Sequence, residues 1–359
     1  MGIKNLTQFL KKYEVYETLN MSNLKYAKVG IDAPMFLYKF KSAYAPNDRA
    51  WLGSFVNFIA YLRKRDVHPV FVFEGKAPPE KFQAQEERRE QRHKTIDKTN
   101  TMQLDLDEYI KNGTVTPLLT ELSKKLKGSQ IKKSLLVKNT SEINIDEIKD
   151  EIDRRRKYEI SITNEDIEYL KELCKLMGVS YIHSFGEAET DCVSLFYGGV
   201  IDYIVSEDTD VLAYFSTQAE DLKVITSFNN DTFVQVSKQK ILDVLNLSDE
   251  SFRDFCIMCG TDYNKNIFRI GVEKSYKFIS NYRNIENVPL DTSILNHIKV
   301  RKLFTVTINP QLNKKVKWCR FPSPKFIHGL DLFIFTHNLS NINTGSIYSA
   351  LSEPDVDYC

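Results

Sequence analysis

Acidic residues that follow short apolar runs are the feature of this 359-residue chain with the clearest chemical potential. Residues 27–31 (AKVGI) lead into Asp32, and residues 69–73 (PVFVF) end at Glu74-Gly75. Residues 201–206 (IDYIVS) precede Asp208, with Asp210 two positions beyond. Glu187 and Glu189, in SFGEAETD, open a helical stretch after the strand-like 179–182, where the helix dipole favours carboxylates. Asp262, in GTDY, sits at a turn between two later helices. If the strands are neighbours, six of these carboxylates converge and Asp262 is a seventh. Two like charges 4 Å apart repel by about 4 kcal/mol at an effective dielectric of about 20. Such a cluster must therefore take up protons or hold cations. Mg²⁺ accepts one or two carboxylates with water and substrate phosphate. Two such ions about 4 Å apart stabilise the attacking and the leaving oxygen of a phosphodiester displacement. Taken singly, each acid also reads as a turn residue or a helix cap.

The three apolar runs have the length and composition of buried, parallel strands. Between them lie helix-period stretches. Ile167, Leu170, Leu173, Cys174 and Met177 form one apolar face, with Thr163 as N-cap, Asp166 completing a box-like start and Gly178 as the stop. Strands alternating with helices predict an α/β fold around a central, twisted, mainly parallel sheet. Residues 76–160 are different: polar, charged, helical in patches, with a turn at Asn112-Gly113. A long insertion of this kind is more often a lid or binding element than core. Beyond about residue 240 the pattern is helical, with one helix over 250–260 and a second over 272–282. The last 60 residues, with Pro310, Pro322 and Pro324, read as irregular structure packed on the rest.

Composition narrows the class. Hydrophobic residues make up 42% and charged residues 27%, as in a globular protein. No run of about 18 apolar residues predicts a membrane span, and the start MGIKNLTQFL has no secretory apolar region. Six cysteines do not form a disulfide framework, so a reducing, intracellular compartment is expected. Cys256 and Cys259 fall on a helix with Phe252 and Phe255, which favours buried packing over zinc. The 49 basic against 48 acidic residues give no global argument for a polyanionic partner. Locally, seven lysines and one acid between Lys111 and Lys138 do, although such runs are also solvated helix faces.

The chain resembles the flap endonucleases, structure-specific 5′-nucleases of DNA replication and repair. The residues that carry the resemblance are MGIKNL at the start, VGIDAPMFLY at 29–38, VFEGKAPPEK at 72–81, FGEAETDC at 185–192, SEDTDVL at 206–212 and CGTDY at 259–263. The resemblance implies a PIN-like nuclease fold with a helical arch and a later helix-hairpin-helix. It also implies a two-Mg²⁺ phosphodiesterase, with Mn²⁺ as a substitute, that cuts DNA near the junction of a 5′ single strand with a duplex. In-line attack of water would leave a 5′-phosphate and a 3′-hydroxyl. Position by position, Asp32, Glu74, Glu187 and Glu189 correspond to the first metal group, and Asp208, Asp210 and Asp262 to the second. Lys81 and Arg88, seven apart, match the basic pair that faces the scissile phosphate; on residues alone they also read as a solvated stripe. Tyr38 matches an aromatic on which a nucleobase stacks, and Gly2 would lie near the bound DNA.

Departures from the family are specific. Glu74 stands where Asp is usual. In the hairpin after Asp262, the family has a Gly-Ile-Gly-Pro-Lys pattern whose amides bind duplex phosphates and a monovalent cation, K⁺. Here Arg269 replaces the first Gly, Val272 the Pro and Glu273 the Lys, while Ile270-Gly271 and Lys274 remain. That leaves the K⁺ site open and makes Arg269, Gly271, Lys274 and Lys277 the candidate duplex contacts. The stretch between Glu74 and Glu187 is longer than the usual arch and contains RRRK at 154–157. It reads either as an enlarged DNA-contacting arch or as a solvated insertion. No sliding-clamp motif is found.

The expected division is 1–80 and 161–240 as two parts of the nuclease, 81–160 as the arch, 241–290 as the helix-hairpin-helix and 291–359 as an extension packed on the core. The expected protein is a monomer in the nucleus or cytoplasm (cytoplasm if viral), with junction DNA as partner and no membrane. A 5′→3′ exonuclease or a junction resolvase on the same scaffold is an alternative. A non-catalytic DNA-binding scaffold with a relic site is the alternative from another class.

Overall fold

The computed structural model describes residues 2–44, 48–131, 143–157, 159–218, 220–340 and 342–352, with backbone alone over 127–131. Lys132, Lys133 and Lys138 of the lysine-rich run, and the C-terminal EPDVDYC, lie outside the described residues. The chain divides into two compact units. The first comprises Met1–Leu37, Arg49–Ala84 and Ile162–Cys359, and the second Tyr38–Asp48 and Gln85–Ser161.

The first unit is built on a seven-stranded sheet. Its strands are β1 (Tyr16–Asn20), β2 (Lys28–Asp32), β3 (His68–Phe73), β4 (Ser180–His183), β5 (Tyr203–Val205), β6 (Lys223–Phe228) and β7 (Thr232–Ser237). They lie in the order β1-β7-β6-β5-β2-β3-β4. The inner pairs β2–β3, β2–β5, β3–β4 and β5–β6 are parallel, as the apolar runs predict. The β6–β7 hairpin and β1 add an antiparallel edge that the sequence reading did not contain. In β2, a Cβ at Gly30 would meet Ile201 Cδ1 at 2.4 Å, so a side chain there would require the Ile201 methyl to move aside.

The helices of the chain are α1 (Leu6–Lys11), α2 (Ala33–Lys41), α3 (Trp51–Arg63), α4 (Phe82–Asn112), α5 (Pro117–Ile131), α6 (Ile145–Arg156), α7 (Asn164–Leu176), α8 (Ala188–Tyr197), α9 (Asp210–Ala213), α10 (Lys238–Leu245), α11 (Asp249–Cys259) and α12 (Val272–Tyr282), followed by α13 (His297–Leu303), α14 (Pro310–Asn313), α15 (Pro324–Thr336) and α16 (Thr344–Leu351). Helix α7 starts as its sequence dictates. The Thr163 hydroxyl accepts from Asp166 N–H, and the Asp166 carboxylate accepts from Thr163 N–H. Among the described residues, the last 60 are not simply irregular: they include helices, with α15 packed against α7 and α16 against α3. Pro310 and Pro324 stand in the first turn of their helices, where a missing N–H costs nothing. The described cysteines are all free and buried, Cys256 and Cys259 among them.

The second unit is helical. Met102 and Leu106 of α4 pack with Leu119 and Leu122 of α5 and Ile148 and Ile152 of α6. Glu151 is buried beside this small core and accepts from Arg154 and Arg155 of the RRRK run. Two of those basic residues are thus engaged with a carboxylate of their own helix.

Candidate active site

Parallel pairing puts the carboxyl ends of β5, β2, β3 and β4 on one edge of the sheet, where open α/β sheets carry their sites. Asp32 is the last residue of β2, and Glu74 follows β3 directly. The chain leaving β3 runs against the chain leaving β4: Gly75 N–H donates to Gly186 O at 2.7 Å and Lys76 N–H to Phe185 O at 3.3 Å. A Cβ at Gly75 would sit 2.2 Å from the Ser184 carbonyl oxygen, so this approach requires glycine. The approach delivers Glu74 to the start of α8, where its carboxylate accepts from Ala188 N–H at 3.1 Å. After β5 the Ser206 hydroxyl accepts from Asp208 N–H (3.1 Å) and donates to Asp32 Oδ2 (3.4 Å). Asp208 Oδ1 in turn accepts from Asp210 N–H at 3.1 Å.

The N-terminal segment closes one side. Ile3 N–H donates to Thr209 Oγ1 at 3.0 Å. Gly2, at φ +88°, lies so near that a Cβ there would be 2.1 Å from Asp208 Oδ1. On another side the loop after α11 brings Asp262 and Tyr263, whose hydroxyl donates to Glu187 Oε2 at 2.5 Å. Tyr263 stays protonated, since burial, then Tyr214 and Glu187, push its pKa up. Sequence reading gave Tyr263 no role; its only signal was its place in CGTDY. A cavity of about 900 Å³, lined in part by Lys11, Tyr16, Thr209 and Leu212, opens beside Asp208.

The bowl so formed is electrostatically unfavourable as it stands. Burial, then Asp208 and Glu74, raise Asp32 to about 7 against the opposing bonds from Met35 and Ser206. Burial, then Asp208 and Asp32, push Glu189 well above the usual carboxylate range. Burial followed by Asp208 and Asp262 does the same for Asp210. Asp208 and Glu74 are raised as well, mainly by burial. Glu189 Oε2 and Asp210 Oδ1 are buried with no hydrogen-bond partner, an expensive state for carboxylate oxygens.

Among the described residues, Lys81 is the cation that ion-pairs with these carboxylates. Its ammonium donates to Glu187 Oε1 and lies 3.8 Å from Asp262 Oδ2, with its side chain 12% exposed. Burial alone would lower its pKa, but Glu189, Glu187 and Asp262 together raise it. Lys81 lies in a 3₁₀ turn, Pro79–Lys81, directly ahead of α4, the helix that carries Arg88. Arg88 is exposed on α4, and Tyr38 is half-buried on α2; both belong to the second unit.

The all-oxygen, anionic donor set with unpartnered oxygens fits hard divalent cations. Among the described residues, no three carboxylate, His or Cys side chains close on one point. Mg²⁺ tolerates that arrangement, since it takes one or two carboxylates and keeps several waters.

The hairpin residues lie beyond Asp262. Arg269, at φ +61°, Lys274 and Lys277 are exposed, and a Cβ at Gly271 would meet nothing within 4 Å. Glu273, in the place of a basic residue, is ion-paired with Lys12, the residue that follows α1, so its charge is offset locally.

Comparison with known proteins decides the family. Residues 1–95 match the XPG N-terminal domain, and residues 178–262 match the XPG I-region. The chain is 55% identical over 99% of its length to "Probable RAD2-like endonuclease 076L" of Invertebrate iridescent virus 3, covering 99% of that protein. It belongs to the RAD2-like endonuclease family. A second relative, "Probable RAD2-like endonuclease 369L" of Invertebrate iridescent virus 6, is 34% identical over 96% of this chain and 92% of its own. Flap endonuclease 1 of Lodderomyces elongisporus is 26% identical over 80% of this chain and 68% of its own. The fold matches flap endonuclease-1 from Methanococcus jannaschii with a TM-score of 0.60 at 20% identity, over 98% of this chain and 96% of that one. It matches the catalytic core of Rad2 in complex with DNA substrate with a TM-score of 0.61 at 16% identity, over 98% and 99%. The protein is a nuclease with the mainly parallel sheet of this fold. Among the described residues, no helix is long and apolar enough to cross a membrane.

Proposed function

We propose that this nuclease is a divalent-metal-dependent 5′-flap endonuclease acting at single-strand/duplex junctions of DNA. The observation that carries the reading is the bowl itself: buried and half-buried carboxylates from four strand ends, two oxygens without a partner, and a lysine among them. Asp32, Glu74, Glu187 and Glu189 would hold one ion, and Asp208, Asp210 and Asp262 a second. Bound there, divalent ions supply the charge neutralisation and water activation that phosphodiester hydrolysis requires.

The chain's own groups prepare that chemistry. Tyr263 and Ser206 fix the Glu187 and Asp32 carboxylates by donating to Oε2 and Oδ2, while Lys81 and Met35 N–H donate to the other oxygen of each. Lys81 brings an ammonium that can exchange a carboxylate for a phosphate oxygen and offset the charge developing there. In this reading Arg88 shares that task, Tyr38 stacks on a base, and Gly2 lies near the bound DNA. Segments 1–80 and 161–240 form the nuclease, 81–160 the arch, 241–290 the duplex grip and 291–359 the extension. The solved Rad2 core carries a DNA substrate on the same fold, which supports DNA as the partner.

The test is cleavage of 5′-labelled flap, nicked-duplex and four-way-junction DNA with Mg²⁺, by the wild type and Asp208→Ala. Flap cleavage should exceed end-trimming of the nick. Asp208→Ala should lose at least about 10³-fold in rate while flap binding persists. Equal rates on flap and nick would favour a 5′→3′ exonuclease, and a wild type without cleavage would favour a DNA-binding scaffold.

A further inference from the structure

The hairpin between Asn266 and Lys274 is also rich in oxygen atoms, yet donors from the protein already occupy them. The Asn266 side-chain amide lies between two backbone carbonyls and donates to Ile270 O at 2.8 Å and Ile267 O at 3.3 Å. Ile267 O accepts a second hydrogen bond from Ile270 N–H at 3.0 Å. The Lys274 ammonium donates to Arg269 O at 3.2 Å. The Lys4 ammonium donates to Asn266 Oδ1 at 3.3 Å, which polarises the amide toward the carbonyls it serves. The Asn266 backbone packs closely on Gly260, at φ +90°, where a Cβ would stand 3.1 Å from Asn266 N.

A bound monovalent cation needs several carbonyl lone pairs directed at one empty point. Here Ile267 and Ile270 spend theirs on an amide, and Arg269 on an ammonium. A second positive charge placed beside that ammonium would be repelled by it. The K⁺ implied by the family does not fit this hairpin.

We propose that Asn266 and Lys274 stand in for the monovalent cation, tying the hairpin carbonyls together from within, so that the hairpin grips a nucleic-acid duplex without K⁺. The inference rests on the reading of the protein as a DNA-binding nuclease. The surface it organises is cationic: Arg269, Lys274 and Lys277 are exposed, and the one intervening acid, Glu273, is paired with Lys12. Phe268 is 81% exposed at the tip, with the Arg269 guanidinium over its ring, so an aromatic face and a cation are presented together.

The experiment is fluorescence-anisotropy titration of the full chain with a flap substrate bearing a long downstream duplex, in KCl and in LiCl at equal ionic strength, without divalent ions. Wild-type affinity should agree within about twofold between the two salts. Lys274→Met, an exposed change, and Asn266→Ala should each weaken binding in LiCl by about fivefold and regain part of it in KCl. Melting curves confirm that the variants remain folded. Wild-type binding about fivefold tighter in KCl would overturn the proposal, as would a folded Lys274→Met that matches the wild type in both salts. Absence of binding in every salt would overturn the functional reading as well, whereas K⁺-dependent binding overturns this one alone.

Discussion

The carboxylate bowl and the 266–274 hairpin lie close in sequence through Asp262, and they treat their oxygen atoms in opposite ways. In the bowl, Glu189 Oε2 and Asp210 Oδ1 are buried without donors, and burial, then neighbouring charges, raises the pKa of several carboxylates. In the hairpin, Asn266 and Lys274 serve the carbonyls of Ile267, Arg269 and Ile270. Unsatisfied oxygens mark the place where an external cation is required, and satisfied ones mark a place where the chain has replaced it. Lys81 is the point at which the two strategies meet, since it is an internal cation inside the site that otherwise needs external ones.

That position yields the largest effect expected from a change inside the comparison. If Lys81 only fills the bowl, Lys81→Met should weaken nothing but the metal-free fold. If it both competes with metal and stabilises the reacting phosphate, the variant should bind Mn²⁺ several-fold more tightly, because a competing ammonium is gone. The same variant should cleave flap DNA about 10²-fold more slowly. Calorimetric titration with Mn²⁺ beside single-turnover cleavage separates the two effects. Weaker Mn²⁺ binding in Lys81→Met would show that the ammonium organises the ligands rather than opposing the ion.

A pH experiment probes the bowl as a whole. Asp32 is raised from 3.8 to about 7, first by burial and then by Asp208, and Glu189, Asp208, Asp210 and Glu74 are raised in the same direction. A carboxyl group raised in the folded state keeps a proton that the unfolded chain has released, so its contribution to stability falls as pH rises from about 4 to about 7. His68, lowered to about 4 by burial and then Arg63, works the other way below about 6.5. The histidine effect is common to both states of metal loading, so the difference between melting curves with and without Mg²⁺ isolates the bowl. The rise in Tm on adding Mg²⁺ should grow by several degrees from pH 5.5 to pH 8, since the ion binds the deprotonated form. A rise independent of pH would mean that these carboxylates are not the ligands.

The sequence made the bowl visible for a geometric reason. Parallel strands expose their carboxyl ends on one edge, so acids after AKVGI, PVFVF and IDYIVS had to meet once the runs paired side by side. What it did not disclose depends on partners distant in the chain. Lys81 is 106 residues from Glu187, and Tyr263 is 76 from it, with no local pattern to join them. The antiparallel edge of β1, β6 and β7 escaped because those strands are half-polar and lack the continuous apolar run of a buried strand. The C-terminal helices escaped because Pro310 and Pro324 read as breakers, whereas both serve as helix starters.

Glu74 offers the smallest effect and the finest test of how the bowl is assembled. Helix α8 has no side-chain cap from its own N-cap residue, Glu187, and Glu74 supplies an acceptor to Ala188 N–H from across the 73–76/184–187 contact. The extra methylene of Glu, relative to the Asp usual in the family, is what lets the carboxylate reach that N–H while staying at the bowl's edge. Glu74→Asp keeps the charge and loses the reach, so it should cost about 1 kcal/mol, as other lost caps do. Tm should fall by about 1–3 °C. Flap cleavage in Mg²⁺ should stay within about threefold of the wild type, because Mg²⁺ tolerates exchange of one carboxylate for water. A loss of cleavage far larger than the loss of stability would place the added methylene in ion positioning, and would mean that this nuclease holds its ions differently from relatives with Asp.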